Sequence, residues 1–261
     1  MERPILKSPQ DIEKMRAANK IVARALRLVE TMAVPGVTTW DIDQAVEKLI
    51  IDAGAVPVFK NYPSYQQGVS PFPASICASI NEEVVHGIPS KDRILVEGQI
   101  LSVDIGAKID GFCGDAARTF GVGQISKRAQ KLLTVTAESL SKGIAAIRPG
   151  STLRDIAYAV QQHAERNGFS VVKQFVGHGI GREMHEPPQV PNYVARGDRE
   201  IDQKLLPGTV LAIEPMVNVG SSEVLVKSDG WTVITRDRTL SAHFENTVAI
   251  TANGPEILSV L

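Results

Sequence analysis

Leu101-Ser102-Val103-Asp104-Ile105-Gly106-Ala107-Lys108-Ile109-Asp110-Gly111-Phe112-Cys113-Gly114-Asp115 is the stretch that decides how this chain folds. An apolar run carries one acid at its middle, turns at Asp110-Gly111, and carries a second acid on the way back. Asp-Gly between two apolar runs is the strongest short hairpin signal. With those two residues as the loop, Ile109 faces Phe112 and Gly106 faces Asp115. Side chains alternate faces along a strand, so Asp104 and Gly106 share a face. Asp115 then lies diagonally across from Asp104 on that face, about 7–8 Å away. Two carboxylates so placed repel each other unless a cation or a proton sits between them. The competing reading makes Asp110 and Asp115 turn acids and Asp104 an edge-strand charge. The rest of the chain decides between the two.

The 261 residues carry a formal net charge of -1 and no basic cluster, so neither a nucleic-acid footprint nor a polybasic membrane patch is expected. No apolar run approaches the ~20 residues of a membrane span, and the N-terminus lacks the apolar core of a signal peptide. Cys77 and Cys113 have no Cys-x-x-Cys partner and read as small buried thiols of a reducing compartment. A soluble cytoplasmic protein is expected.

A repeat runs through the chain. Ser8-Pro9-Gln10-Asp11 starts a first helix with Ile12, Met15, Val22, Leu26 and Val29 as its stripe, and Thr38 or Thr39 caps a second with Ile42, Ala45, Val46 and Leu49 inward. Later, Ser126 caps a helix bearing Leu132, Leu133, Leu140, Ile144 and Ile147, and a second follows with Ile156, Ala159 and Val160. Setting Pro35 to Gly54 over Pro149 to Gly168 gives eight agreements in twenty positions, more than unrelated segments show. His86-Gly87-Ile88 follows the first copy and His178-Gly179-Ile180 the second, while Glu97 to Asp104 matches Pro207 to Glu214. The expected architecture is α+β: one domain, residues 1–261, of two halves (about 8–120 and 124–250) with pseudo-two-fold symmetry. A shared antiparallel sheet is covered by outer helices, with the site at the junction. A strand is predicted over Val171–Val176 and a loop over Gly177–Gly181.

The repeat makes Asp104 and Glu214 mates. Glu214 and Glu245 both stand inside apolar strand-like runs, where burial demands a partner. Four carboxylates and a histidine suit two divalent cations about 3.5–4 Å apart with bridging carboxylates. Oxygen-rich ligation with one imidazole favours Mn, Fe, Co or Zn. Of the five histidines, His163 reads as a helix residue, while His86, His178 and His185 lie among glycines and prolines where loops approach a site. Gly177-x-Gly179-x-Gly181 is not a dinucleotide loop, since Pro187-Pro188 blocks the helix that must follow, and no Gly-x-Ser-x-Gly elbow occurs. An aromatic, proline-rich stretch from Ala55 to Phe72 reads as a pocket wall.

These residues carry a resemblance. Asp104 with Asp115 eleven positions on, Gly177-His178-Gly179-Ile180-Gly181 followed by His185-Glu186-Pro187-Pro188, Ile213-Glu214-Pro215-Met216 and Phe244-Glu245 together look like a type I methionine aminopeptidase. So do Cys77-Ala78-Ser79-Ile80-Asn81-Glu82, His86-Gly87-Ile88-Pro89 and Asp229-Gly230-Trp231. The resemblance covers nearly the whole chain, without an N-terminal zinc-binding extension. It implies the pita-bread (creatinase/aminopeptidase) fold, with a curved sheet and a dinuclear centre. By motif match, Asp104, Asp115, His178, Glu214 and Glu245 are the ligands of two divalent metal ions, Asp115 and Glu245 bridging, Asp104 completing one shell, His178 and Glu214 the other. A hydroxide bridging the metals would then remove the initiator methionine from nascent polypeptide N-termini. One cation would hold the free amine, and the cations with His185 would stabilise the oxyanion. Glu214 would pass a proton to the leaving amine, and His86 would position the scissile amide nitrogen or the amine. His86 and His185 fall where the family contacts substrate. Cys77 and Trp231 match its pocket positions, and Tyr62 and Phe72 are candidate walls.

The chain departs from the family at three places. Met184 precedes His185 where Phe is usual and is expected to line the pocket. His243 stands two before Glu245 where Gln is usual and would bring an imidazole near the metals. The segment from Ser64 to Ser70 is longer than in short bacterial members. An X-Pro aminopeptidase or dipeptidase shares the five ligands but normally carries an extra N-terminal domain, whereas this chain opens on the first helix and its Cys77-to-Pro89 stretch is of the methionine type. A non-catalytic relative would have lost ligands, and all five are here. A monomer is expected, with the ribosome a candidate partner.

Overall fold

The structure, a computed structural model, describes residues 4–260 except 65, 196 and 198. Tyr65, within the longer segment, lies outside the described residues. The first half runs α1 (Pro9–Met32), α2 (Thr39–Asp52), β1 (Val56–Pro57), β2 (Ile76–Ile80), β3 (Glu83–Val85), β4 (Ile100–Ile109) and β5 (Phe112–Gly121). The second runs α3 (Lys127–Ala145), α4 (Leu153–Arg166), β6 (Ser170–Val171), β7 (Gly177–Gly179), β8 (Glu186–Val190), β9 (Val210–Ile213), β10 (Met216–Asn218), β11 (Val224–Val226), β12 (Val233–Thr235), β13 (Ser241–His243), β14 (Asn246–Thr251) and β15 (Gly254–Ile257).

The helices begin where their caps dictate. Ser8 accepts the Asp11 N–H and Asp11 returns a carboxylate to Ser8, with Pro9 at the first turn. The repeat is visible in the next pair: Asp41 accepts the Thr38 N–H at 3.2 Å and Asp155 that of Thr152 at 2.7 Å, and each threonine makes an isolated antiparallel bridge, to Ile94 and to Lys204. α1 and α2 lay Val22, Leu26, Ile42 and Val46 onto Val103 and Ile105, while α3 and α4 lay Leu140, Ile156 and Val160 onto Leu211, Ile213 and Val248.

Among the described residues all the pairing is antiparallel, and it divides into four hydrogen-bonded sheets rather than one continuous ladder. β1, β2, β4 and β5 form one, and β15-β14-β9-β7-β8 form its larger counterpart in the second half. Two three-stranded sheets, β13-β10-β6 and β11-β12-β3, flank them. The predicted hairpin stands: Ile109 pairs with Phe112 and Gly106 with Asp115. Asp110 (φ 51°) and Gly111 (φ 78°) both take the left-handed conformation that a two-residue hairpin loop needs. The predicted strand over 171–176 is cut short at Val171. Val172 still donates to the Met216 carbonyl, but the chain then bends away and carries Phe175 to the ring of His86.

The halves join at a two-fold seam. β4 sets Val103 opposite Arg118, and β9 sets Ile213, the mate of Val103, opposite Asn246. Arg118 donates to Asn246 Oδ1 at 2.6 Å, linking one equivalent position to the other. Counting back three residues makes Asp115 and His243 equivalent, and the hydrogen bonds agree. Thr247 Oγ1 accepts from Asp115 N and donates to its carbonyl, while Thr119 Oγ1 accepts from His243 N and donates to its carbonyl. Thr247→Val leaves the buried Asp115 C=O without its donor and its N–H with only the 3.3 Å bond to Asn19 Oδ1, and should lower the unfolding free energy by about 1–3 kcal/mol, read from urea denaturation.

Candidate metal centre and pocket

The seam is where the chain delivers its acids. Asp104 sits mid-β4, opposite Cys77 on one side and Ala117 on the other, and Asp115 follows on β5. Glu214 and Glu245 were predicted inside strands, but both lie at breaks. β9 ends at Ile213 and β10 starts at Met216, while β13 ends at His243 and β14 starts at Asn246. Ile213 pairs with Asn246 and Met216 with His243, so Glu214-Pro215 faces Phe244-Glu245 across one two-residue interruption. Pro215 has no N–H to continue the ladder, and there the ribbon passes from the five-stranded sheet to the three-stranded one. Glu245 N instead donates to the Ala117 carbonyl, across the seam.

His178 was predicted on a loop and stands in β7, paired to Ala212 on one side and Gln189 on the other. Its neighbour Gly177 explains both the misreading and the strand: a Cβ there would lie 2.2 Å from the Ala212 carbonyl oxygen. His178 Nδ1 donates to the Gly179 carbonyl at 2.9 Å, which leaves Nε2 as a free lone pair. That nitrogen lies 3.7 Å from Asp115 Oδ2 and 3.6 Å from Glu214 Oε1. One donor atom each from Asp115, His178 and Glu245 falls within 4.8 Å of the others.

The electrostatics describe a site short of positive charge. Burial, then the neighbouring carboxylates, push Asp115 and Glu245 well above the usual carboxylate range, and burial with Asp104 does the same to Glu214. Burial lifts Asp104 to about 6. Burial lowers His178 to about 3, and burial with the imidazoles of His243 and His185 lowers His86 to about 4. The donor set passes a test of fit to divalent metal. Buried oxygens of Asp104 (Oδ1), Asp115 (Oδ1) and Glu245 (Oε1) have no hydrogen-bond partner among the described residues, and cations satisfy all three.

Beside the acids lies a buried apolar cluster. Cys77, Phe59, Phe72, Ile180 and Met184 are buried in one cluster, with Tyr62, Ile88 and Trp231 packed on it. Trp231 Nε1 donates to the Ser70 carbonyl at 2.9 Å, and its ring meets Phe72 edge-on at 5.2 Å. His86, at φ 59°, ends the strand-like piece before it and turns its ring between Phe175 and Trp231. Tyr62 Oη is 2.5 Å from His185 Nδ1, and the rings of His185 and His178 are 4.3 Å apart. Burial and the charges of Asp104 and Asp115 push the Cys77 thiol well above its usual range, which disfavours the thiolate. Contacts draw these residues toward one another: Cys77 pairs with Asp104, His185 meets Tyr62 and His178, and Trp231 meets Phe72 and His86. His163 is bonded to Glu138 on α3 instead.

Several supporting residues escaped the sequence reading. Lys7 Nζ meets Glu186 Oε2 at 2.5 Å with both side chains buried, and Glu186 Oε1 accepts the N–H groups of Arg182 and Glu183, pinning the loop that presents Met184 and His185. Asp43, on the inner face of α2, accepts the N–H groups of Ser75 and Ile76 and fixes the start of β2 ahead of Cys77. Phe59 and Phe175 complete the aromatic lining. Of these only the Phe59 stretch carried a signal, its density of aromatics and prolines.

Comparison with known proteins agrees with the cleft. The profile of metallopeptidase family M24 matches residues 13–252. A methionine aminopeptidase of Clostridium acetobutylicum is 53% identical over 256 residues, 98% of each chain. A crystal structure of methionine aminopeptidase from Thermotoga maritima superposes with TM-score 0.93 at 45% identity, covering 99% of this chain and all of that one. An Xaa-Pro dipeptidase from Bacillus anthracis shares the fold alone, at TM-score 0.75 and 21% identity over 62% of its length.

Three outcomes follow from the charges. Between 3.8 and about 6, folded Asp104 keeps a proton that the unfolded chain has lost, so stability of the metal-free protein falls as pH rises through that window. Divalent cations must displace such protons, so their affinity should rise over the same window, as calorimetric titration with Mn at stepped pH would record. Lys7→Met leaves a buried carboxylate unpaired and should cost about 3–5 kcal/mol, seen as a lowered urea midpoint.

Proposed function

We propose a methionine aminopeptidase: the chain belongs to metallopeptidase family M24, with the pita-bread fold of that family, and its site suits hydrolytic release of an N-terminal methionine. The observation that carries this reading is the buried group of Asp115, His178 and Glu245, whose donor atoms lie within 4.8 Å of one another, with Glu214 3.6 Å from His178 and a partnerless oxygen on Asp104. Use of divalent metal follows from the family. On our reading the metals number two, drawn from Co, Mn, Fe or Zn. Asp104, Asp115, His178, Glu214 and Glu245 would hold them, with Asp115 and Glu245 as the shared ligands. When bound, the cations supply a water deprotonated near neutral pH and a Lewis-acid pull on the scissile carbonyl.

The remaining roles belong to the chain. Cys77, Tyr62, Phe72, Met184 and Trp231 enclose the methionine side chain, and the bend at Met184 adapts its flexible thioether to the substrate's own. His185, its Nδ1 held by Tyr62, stands beside His178 where a donor can meet charge growing on the carbonyl oxygen. His86 is kept neutral by its surroundings and positions the scissile amide nitrogen or the substrate amine. Glu214 would take the proton given up by the attacking water and pass it to the leaving amine as the C–N bond breaks. Two halves, about 8–120 and 124–250, make one catalytic domain. The substrates are nascent polypeptide N-termini in the cytoplasm, met by a monomer that can dock on a ribosome. Among the described residues no helix is long and apolar enough to cross a membrane.

The test offers Met-Ala-Ser and Ala-Pro peptides side by side after chelation, with Co, Mn, Fe and Zn added back singly. Methionine release restored by at least one metal is the expected result. No release with any of them, or preference for Ala-Pro, sinks the reading. His185→Ala should lower kcat by about 10²–10³ with metal stoichiometry intact, measured by atomic absorption.

A further inference from the structure

The centre holds one more partnerless buried atom, and it is a nitrogen: Nε2 of His243, a residue 2% exposed. The fold aims this side chain inward. His243 is the two-fold mate of Asp115, with its backbone N–H and C=O taken by Thr119 as those of Asp115 are taken by Thr247. Alternation along paired strands then sends both side chains to the same face. Glu214 lies between two imidazoles, Oε1 at 3.6 Å from His178 Nε2 and Oε2 at 3.4 Å from His243 Nε2.

The two rings differ in one respect. A metal-binding imidazole usually donates its other N–H to an acceptor, and His178 does so through Nδ1 to the Gly179 carbonyl. His243 has no such bond at Nδ1 among the described residues, so nothing there sets its tautomer against a hydrogen at Nε2. We propose that His243 is a positioning residue for Glu214: its Nε2–H donates to Oε2 and turns Oε1 toward the metal shared with His178. The inference rests on the reading of Glu214 as a ligand. A small rotation of the carboxylate, when a cation draws Oε1, converts the 3.4 Å contact into a hydrogen bond and satisfies the nitrogen. The ring thereby sets metal affinity without entering the coordination shell.

The experiment compares the full chain with His243→Ala and His243→Gln, which keeps a donor at similar depth. His243→Met, closer in volume, serves where the alanine variant loses its fold. Mn binding is followed by calorimetry, and the visible absorption of the Co-loaded proteins reports the ligand set. The expected result is about 10–100-fold weaker binding at one of the two sites in His243→Ala, affinity near wild type in His243→Gln, and a Co spectrum whose band positions hold in both. Wild-type affinity in His243→Ala overturns the proposal, as does an equal loss in both variants. A Co spectrum showing one nitrogen ligand fewer in His243→Ala overturns it in favour of direct ligation. A wild-type chain that binds no metal sinks the underlying reading itself, an outcome separate from these.

Discussion

Four carboxylates converge on a buried seam, and no lysine or arginine Nζ or guanidinium comes within ion-pair distance of any of them among the described residues. Two like charges about 4 Å apart at an effective dielectric near 20 repel by roughly 4 kcal/mol, several times the ~1 kcal/mol net worth of a hydrogen bond. The bonds that Arg118, Thr119 and Thr247 make across the seam therefore cannot by themselves hold four ionised acids together. Protons or cations must do so. The first two acids come from one half and the last two, with His178, from the other, so whatever neutralises the centre also fastens the halves.

The parts of this design that repeat along the chain were legible in it. The hairpin follows from strict alternation about an Asp-Gly turn, and the first three helices follow from Ser8, Thr38 and Ser126 at their caps. The seam was legible because the repeat paired Asp104 with Glu214. What escaped is what alternation does not encode. Pro215 marks an interruption of the ladder, but the apolar residues on either side, Ile213 and Met216, do not tell that pairing resumes in another sheet. Glycines around His178 speak for a loop, yet here they let neighbouring strands approach. Lys7 and Glu186 are 179 residues apart, and no local pattern joins them. Asp43 looks like a solvated helix position until β2 is laid against α2.

The pocket shows a division of labour between regular and irregular chain. Strands β4, β5, β7 and β14 and the breaks beside them set the acids and His178, where tolerances are fractions of an ångström. The walls come from segments without regular pairing, Phe59 to Phe72 and the turn before Trp231, cross-braced by the Trp231 bond to Ser70 and by edge-on aromatic contacts. Glu186, clamped by Lys7, belongs to both regimes, since it opens β8 and steadies the loop that carries Met184 and His185.

The seam brings together equivalent positions that are not occupied by equivalent residues. Asp115 answers to His243, Ala117 to Glu245 and Asp104 to Glu214. A centre on a strict two-fold axis would present the same face to both sides and receive a peptide in either direction. Here the donors differ across the axis, so the two directions of approach to the centre are not equivalent.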